Sequence, residues 1–130
     1  MAFLIITESI EETIHSLQSD KHLCEKVFKD TGDKVYEAKA KYYADKLQAA
    51  LRYQRLFERK STYQKIKHLR HRNLPQYVDK CSQITKGLKG VYFDKDRLLF
   101  RVQITRLGKR MYLGQFDTPD DALEVLKQYI

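Results

Sequence analysis

Between Lys89 and Ile130 apolar and polar positions first alternate in short runs and then recur at helical spacing. Val91 to Phe93, Phe100 to Thr105 and Arg110 to Leu113 are rich in β-branched, aromatic and apolar residues, and turn or charged residues bound each run. This pattern predicts three strands. Strand side chains alternate between faces, so Phe100, Val102 and Ile104 share an apolar face while Arg101, Gln103 and Thr105 share a polar one. In the third run Met111 and Leu113 point one way and Arg110 and Tyr112 the other. Leu107-Gly108-Lys109 supplies a tight hairpin and Asp94 to Arg97 a polar turn, so an antiparallel meander is the simplest topology. Thr118-Pro119-Asp120-Asp121 then places an N-cap, a proline suited to a first helical turn and two acids opposing the positive helix end. Ala122, Leu123, Leu126 and Tyr129, beside Val125 and Ile130, form a stripe able to cover Phe100, Val102, Ile104, Met111 and Leu113.

The first part of the chain reads as helical. Ile10, Ile14, Leu17, Cys24, Val27 and Phe28 fall close to helical spacing from Thr7 to Asp30, with capping residues at Ser19-Asp20; one bent helix or two short ones fit. Thr31-Gly32-Asp33 supplies a stop and a new cap. From Asp33 to about Arg72 there is no glycine or proline, and Tyr36, Ala40, Tyr43, Leu47, Ala50, Leu51 and Phe57 trace one face beside a second row from Tyr42 to Ile66. A helix of roughly 25 to 40 residues follows, with Ser61-Thr62 as a place where it could break. Its apolar length exceeds what a small sheet covers, so it forms an antiparallel hairpin with Thr7 to Asp30 or serves as a homodimer or protein-partner surface. Asn73-Leu74-Pro75 ends it. The expected class is α+β: a helical region over 1–72 with a long helix at about 33–72, a linker over 73–88 with a short helical turn at Tyr77 to Ile84, and a three-strand-plus-helix unit over 89–130.

A unit of 42 residues has a marginal core on its own, so the helical region is expected to stabilise it. Met1 to Ile6 is apolar, but Glu8, Glu11 and Glu12 end it far short of the ~20 residues a membrane span needs, and nothing resembles a cleavage site. Cys24 and Cys81 lack a metal or redox spacing and read as buried small side chains of a reducing compartment. Charge is uneven. Residues 1–51 carry 7 Lys/Arg against 9 Asp/Glu, residues 52–72 carry 8 against 1, and residues 73–130 carry 10 against 7, within an overall +8. In RYQRLFERKSTYQKIKHLRHR the cations spread around the helix, where like charges repel; a polyanion would relieve that repulsion, and a solvated or acidic-protein-binding surface is the alternative. Lys65 to Arg72 also has the makeup of a nuclear-localisation run.

Gly90-Val91-Tyr92-Phe93-Asp94, Phe100-Arg101-Val102-Gln103-Ile104, Gly108-Lys109-Arg110 and above all the block from Tyr112 to Ala122, YLGQFDTPDDA, resemble the AP2/ERF DNA-binding domain over residues 89–130. The Gly-Val-Tyr-Phe-Asp and Arg-x-Gln-Ile elements are closer to the AP2-like domains of protists, phages and mobile elements than to those of plants. The resemblance implies a three-stranded sheet laid into the DNA major groove with the helix behind it. By position, Lys89 and Tyr92 stand where the plant family has arginines, Gln103 and Thr105 where it has a glutamate and an arginine, and Arg110 and Tyr112 where it has an arginine and a tryptophan. Arg110 alone is identical, and Phe100 replaces a usual tryptophan, so the plant recognition sequence does not transfer.

Motifs for catalysis are nearly absent. His68 and His71 lie three apart without a cysteine pair or carboxylate to complete a zinc set, and His68-x-x-His71-Arg72-Asn73 lacks the remaining elements of a His-Asn-His nuclease. No phosphate loop or nucleophile elbow is present. The reading is therefore a non-enzymatic, cofactor-free nucleic-acid-binding protein, with double-stranded DNA binding the leading role and transcription regulation compatible with it. Lys89, Tyr92, Arg97, Arg101, Gln103, Thr105, Arg110 and Tyr112 form the expected recognition face for double-stranded DNA, while Arg59, Lys60, Lys65, Lys67, Arg70 and Arg72 on the basic helix hold phosphates. Arginine and glutamine match guanine and adenine edges, which assigns direct readout to Arg101, Gln103 and Arg110 and phosphate contact to Lys89 and Arg97. The alternative is a structural RNA-binding or protein-docking subunit of a ribonucleoprotein assembly such as a ribosome. The expected location is nuclear or nucleoid-associated, with an organelle also compatible, and no membrane partner is expected.

Overall fold

The computed structural model describes residues 10–130; the expectations for Met1 to Ile6 and for Thr7 fall outside them. The chain is α+β. Helices α1 (Ile10–Thr31) and α2 (Lys34–Ile66) come first, followed by a single turn α3 (Leu69–Arg72) and helix α4 (Leu74–Thr85). Strands β1 (Val91–Asp94), β2 (Leu99–Arg106) and β3 (Lys109–Phe116) form an antiparallel sheet in that order, and helix α5 (Pro119–Lys127) closes the chain.

Helices α1 and α2 form the expected hairpin, joined through Asp33, whose carboxylate caps α2 by accepting from the Val35 N–H at 3.0 Å. Ile14, Leu17, Leu47 and Ala50 make a small buried cluster between them. Over its second half α2 leaves this cluster and enters a larger one. There Tyr53, Leu56, Tyr63 and Ile66 pack with Tyr77, Cys81 and Ile84 of α4, with Val91, Phe100, Val102 and Ile104 of the sheet, and with Ala122, Leu123 and Leu126 of α5.

Two boundaries differ from the sequence reading. The long helix does not run to Arg72. It passes through Ser61-Thr62 unbroken, ends at Ile66, and is separated by Lys67-His68 from the turn Leu69–Arg72. The segment expected as a linker over 73–88 is mostly helix α4, and Tyr77, Cys81 and Ile84, at i, i+4 and i+7, lie buried in the main core. Asn73 caps it by accepting from the Gln76 N–H, and Pro75 occupies its first turn, where no N–H partner is needed. Asn73, where the turn α3 ends, therefore also starts α4. At the other end of α4, Arg59 Nη1 of α2 donates to the carbonyls of Ile84 and Lys86 at 2.7 and 2.8 Å. One core thus runs across the expected division between helical region and sheet.

The β2–β3 hairpin turns on Leu107-Gly108, with φ of 52° and 78°, the two positive values that a twisted two-residue hairpin requires. Between Val102 and Gln103 the register with β3 shifts, so that Val102 faces Gly114 and Gln103 faces Tyr112, and Leu113 is the extra residue of a bulge. Met111, expected under α5, pairs with Ile104 on the core side but is 38% exposed. Polar contacts close the sheet at this end: Asp45 of α2 accepts from the Leu107 N–H at 2.9 Å, and Arg106 donates to the Tyr129 carbonyl. Thr118 caps α5 by accepting from the Asp121 N–H. No described helix is long and apolar enough to cross a membrane.

Candidate nucleic-acid interface

With α5, α2 and α4 on one side of the sheet, its opposite face is left open. The pairing puts Tyr92 beside Arg101, Arg101 beside Gln115, Gln103 beside Tyr112, and Thr105 beside Arg110. Six of the eight sheet residues expected to meet nucleic acid therefore share one surface. Tyr92, Arg101, Arg110 and Tyr112 are exposed, while Gln103 and Thr105 are half-buried between them. Lys89 is exposed just before β1, and Arg97 is exposed in the β1–β2 turn. There Asp94 Oδ1 accepts from the N–H groups of Asp96 and Arg97 at 3.0 and 3.2 Å, the Asx geometry that stabilises a polar turn.

The polar groups on this face hold one another in place. Gln103 Nε2 donates to the Tyr92 hydroxyl at 2.5 Å. The Arg101 guanidinium lies 5.3 Å from the centre of the Tyr112 ring and 3.9 Å from Asp94 Oδ2. Tyr112 and, more weakly, Asp94 hold the Arg101 pKa above its ordinary value. A half-exposed ion pair at this distance is worth little, so it orients Arg101 without occupying it.

The basic segment is spread over different surroundings. Lys65 and Lys67 are exposed near the end of α2, and Arg70 is half-buried and Arg72 exposed in α3. Lys60 lies over the Phe57 ring at 4.5 Å and lines a hollow with Asp120, Asp121 and Glu124, on the α5 side of the molecule. Arg59 is committed to the carbonyls at the end of α4. Arg55, Lys65, Lys67 and Arg72 are thus the exposed cations of this block, with Arg70 half-buried.

One residue of the face was not singled out from sequence. Arg52 of α2 lines an open hollow of about 370 Å³ with Lys89, Gly90, Tyr92, Gln103, Ile104, Thr105 and Arg110. Its Nε donates to the Lys89 carbonyl at 2.7 Å, and burial pulls its pKa down from the ordinary arginine value. The only sequence signal was its place at the head of the basic block. Among the described residues no group of three or more His, Cys, Asp or Glu side chains is placed to hold a metal ion. In comparisons with protein-family models, curated proteins and solved structures, the chain matches none.

Proposed function

We propose that this protein binds double-stranded DNA, with the open sheet face in the major groove and the end of the basic helix against phosphates, in the manner of a transcription regulator. The observation that carries the reading is the single surface formed by Tyr92, Arg101, Gln103, Thr105, Arg110 and Tyr112. Strands lie ~4.8 Å apart, so three span ~10 Å, against a major groove ~12 Å wide. The face offers bidentate donors suited to guanine at Arg101 and Arg110 and an amide suited to adenine at Gln103. The AP2/ERF resemblance of residues 89–130 supports the same placement.

Exposure of Tyr92 and Tyr112 at 47% and 53% favours a second reading. Tyrosines on a sheet surface can stack on unpaired bases, which would suit an RNA-binding subunit of a ribonucleoprotein. A selection of the full chain against random duplex DNA, run beside structured RNA across a salt series, separates the two. An enriched duplex motif that is lost on changing Arg101, Gln103 and Arg110 supports the first reading. Equal and steeply salt-sensitive binding to every polyanion removes it, because phosphate attraction alone has no sequence preference.

A further inference from the structure

We propose that the hollow between Arg52 of α2 and the start of β1 is a phosphate seat, which a phosphodiester of the bound nucleic acid fills. The inference rests on the nucleic-acid reading above and adds to it a contact made by the helical hairpin.

The seat is defined by what lines it. Arg52 and Lys89 line it with Tyr92 and Thr105, the base-reading candidates Arg110 and Gln103 border it, and no carboxylate is among the lining residues. Three like charges around one open hollow repel, and an anion between them removes that repulsion. Asp45 is a neighbouring carboxylate of α2, and it is engaged by the Leu107 N–H. Arg52 is also under-satisfied. Nε is bonded to the Lys89 carbonyl, but Nη1 is buried without a hydrogen-bond partner among the described residues. Burying a guanidinium N–H unpaired costs free energy, and turning that edge of the fork into the hollow would give it a phosphate oxygen, the acceptor the planar group matches best.

The backbone is shaped to admit this side chain. A Cβ at Gly90 would stand 2.9 Å from Arg52 Nε and would press into the Gln103 carbonyl oxygen. Glycine at this point lets a side chain rooted on the core side of the sheet reach the recognition side. Arg52 therefore couples the angle of α2 to the position of a nucleic-acid strand on the sheet.

The test uses the full chain and two substitutions, Arg52→Gln and Arg52→Lys, with thermal midpoints recorded for each. Binding to a mixed-sequence DNA duplex is measured over a salt series. Each phosphate contact contributes about 0.9 to the slope of log K against log salt. The expected result is a slope lower by about one and affinity lower by roughly tenfold in Arg52→Gln, with Arg52→Lys keeping most of the slope. In parallel, the Arg52 side-chain Nε–H and the Gly90 amide of the unaltered chain are followed by nuclear magnetic resonance during titration with the duplex and, separately, with inorganic phosphate. Shifts at both groups support the seat, and this arm decides the matter if Arg52→Gln fails to fold. Shifts with inorganic phosphate but no duplex binding keep the seat and overturn the DNA reading. Unmoved resonances at Arg52 and Gly90 while the duplex is bound overturn the seat and leave the sheet reading standing.

Discussion

Gly90→Ala tests the close approach of α2 to the sheet, and a second glycine in the same backbone region provides its control. Gly90 has φ +80°, and a Cβ there would lie closer than 3.0 Å to both the Gln103 carbonyl oxygen and Arg52 Nε. Gly108 has φ +78° with nothing within 4 Å of the same Cβ. The conformational cost is thus shared: about 1–2 kcal/mol for an L-residue in the left-handed region, offset by ~0.4–1 kcal/mol because alanine restricts the unfolded chain. Gly108→Ala should therefore cost ~1 kcal/mol. At Gly90 the new methyl also pushes against backbone that the 2.8 Å bond from the Gln103 N–H to the Gly90 carbonyl holds in register. Loosening that bond costs ~1 kcal/mol, and disturbing the half-exposed Arg52–Lys89 contact costs about as much again. Gly90→Ala should lose ~3 kcal/mol in all, a fall in melting temperature of about 10 °C at this chain length. Urea unfolding of both variants at a common m-value measures the difference directly. Equal losses in the two proteins would refute the reasoning, because the approach of Arg52 and Gln103 to Gly90 would then carry no cost.

Other substitutions separate recognition from folding. Arg110→Ala should lower specific duplex affinity by ~1–3 kcal/mol and relax preference at one base position, and an unchanged motif in a repeated selection would remove its readout role. Arg59→Ala should instead cost ~1–2 kcal/mol of folding stability, through the lost bonds to the Ile84 and Lys86 carbonyls; a salt slope that drops while the urea midpoint stays fixed would count against that assignment. Burial pushes the Cys81 thiol up to about 11 from its ordinary 9.0. A folded-state pKa above the unfolded one gives stability that is complete below about pH 9 and lost as pH rises through about 11. Melting temperature should accordingly decline across that window, and the decline should be shallower in Cys81→Ala; identical profiles for the two proteins would rule out a contribution from the thiol.

Local chemistry made the sheet and its cap legible in the sequence. Alternation fixed which side of β2 is buried, Leu107-Gly108 marked the hairpin, and Thr118-Pro119 marked the start of α5. The shared open face of Tyr92, Arg101, Gln103, Thr105, Arg110 and Tyr112 followed because strand neighbours share a side. Contacts made at long range were not legible. QYVDKCSQIT has few apolar residues, and its helix is held by Tyr77, Cys81 and Ile84 meeting the sheet and by Arg59 reaching its last carbonyls from α2. For the same reason Arg59, which reads as a surface cation, is half-buried and committed to structure. The bulge that places Leu113 out of alternation depends on the pairing of β2 with β3, and Arg52 reaches the open sheet face only because Gly90, 38 positions later in the chain, has no side chain in its way.

The division of α2 between two apolar clusters has a dynamic consequence. At ~1.5 Å per residue, its 33 residues make a rod about 50 Å long, and only its second half is locked into the cluster that holds the sheet. The first half is held by α1 through a smaller set of side chains, Ile14, Leu17, Leu47 and Ala50. Regions with fewer buried apolar contacts open at lower free energy, so α1 should exchange its amide protons well before β2 or α4. Such opening bares the inner stripe of α2 while the Tyr63 and Tyr77 hydroxyls, 3.1 Å apart in the main core, stay packed. The protein therefore has a low-energy excursion at one end that leaves the other end in register.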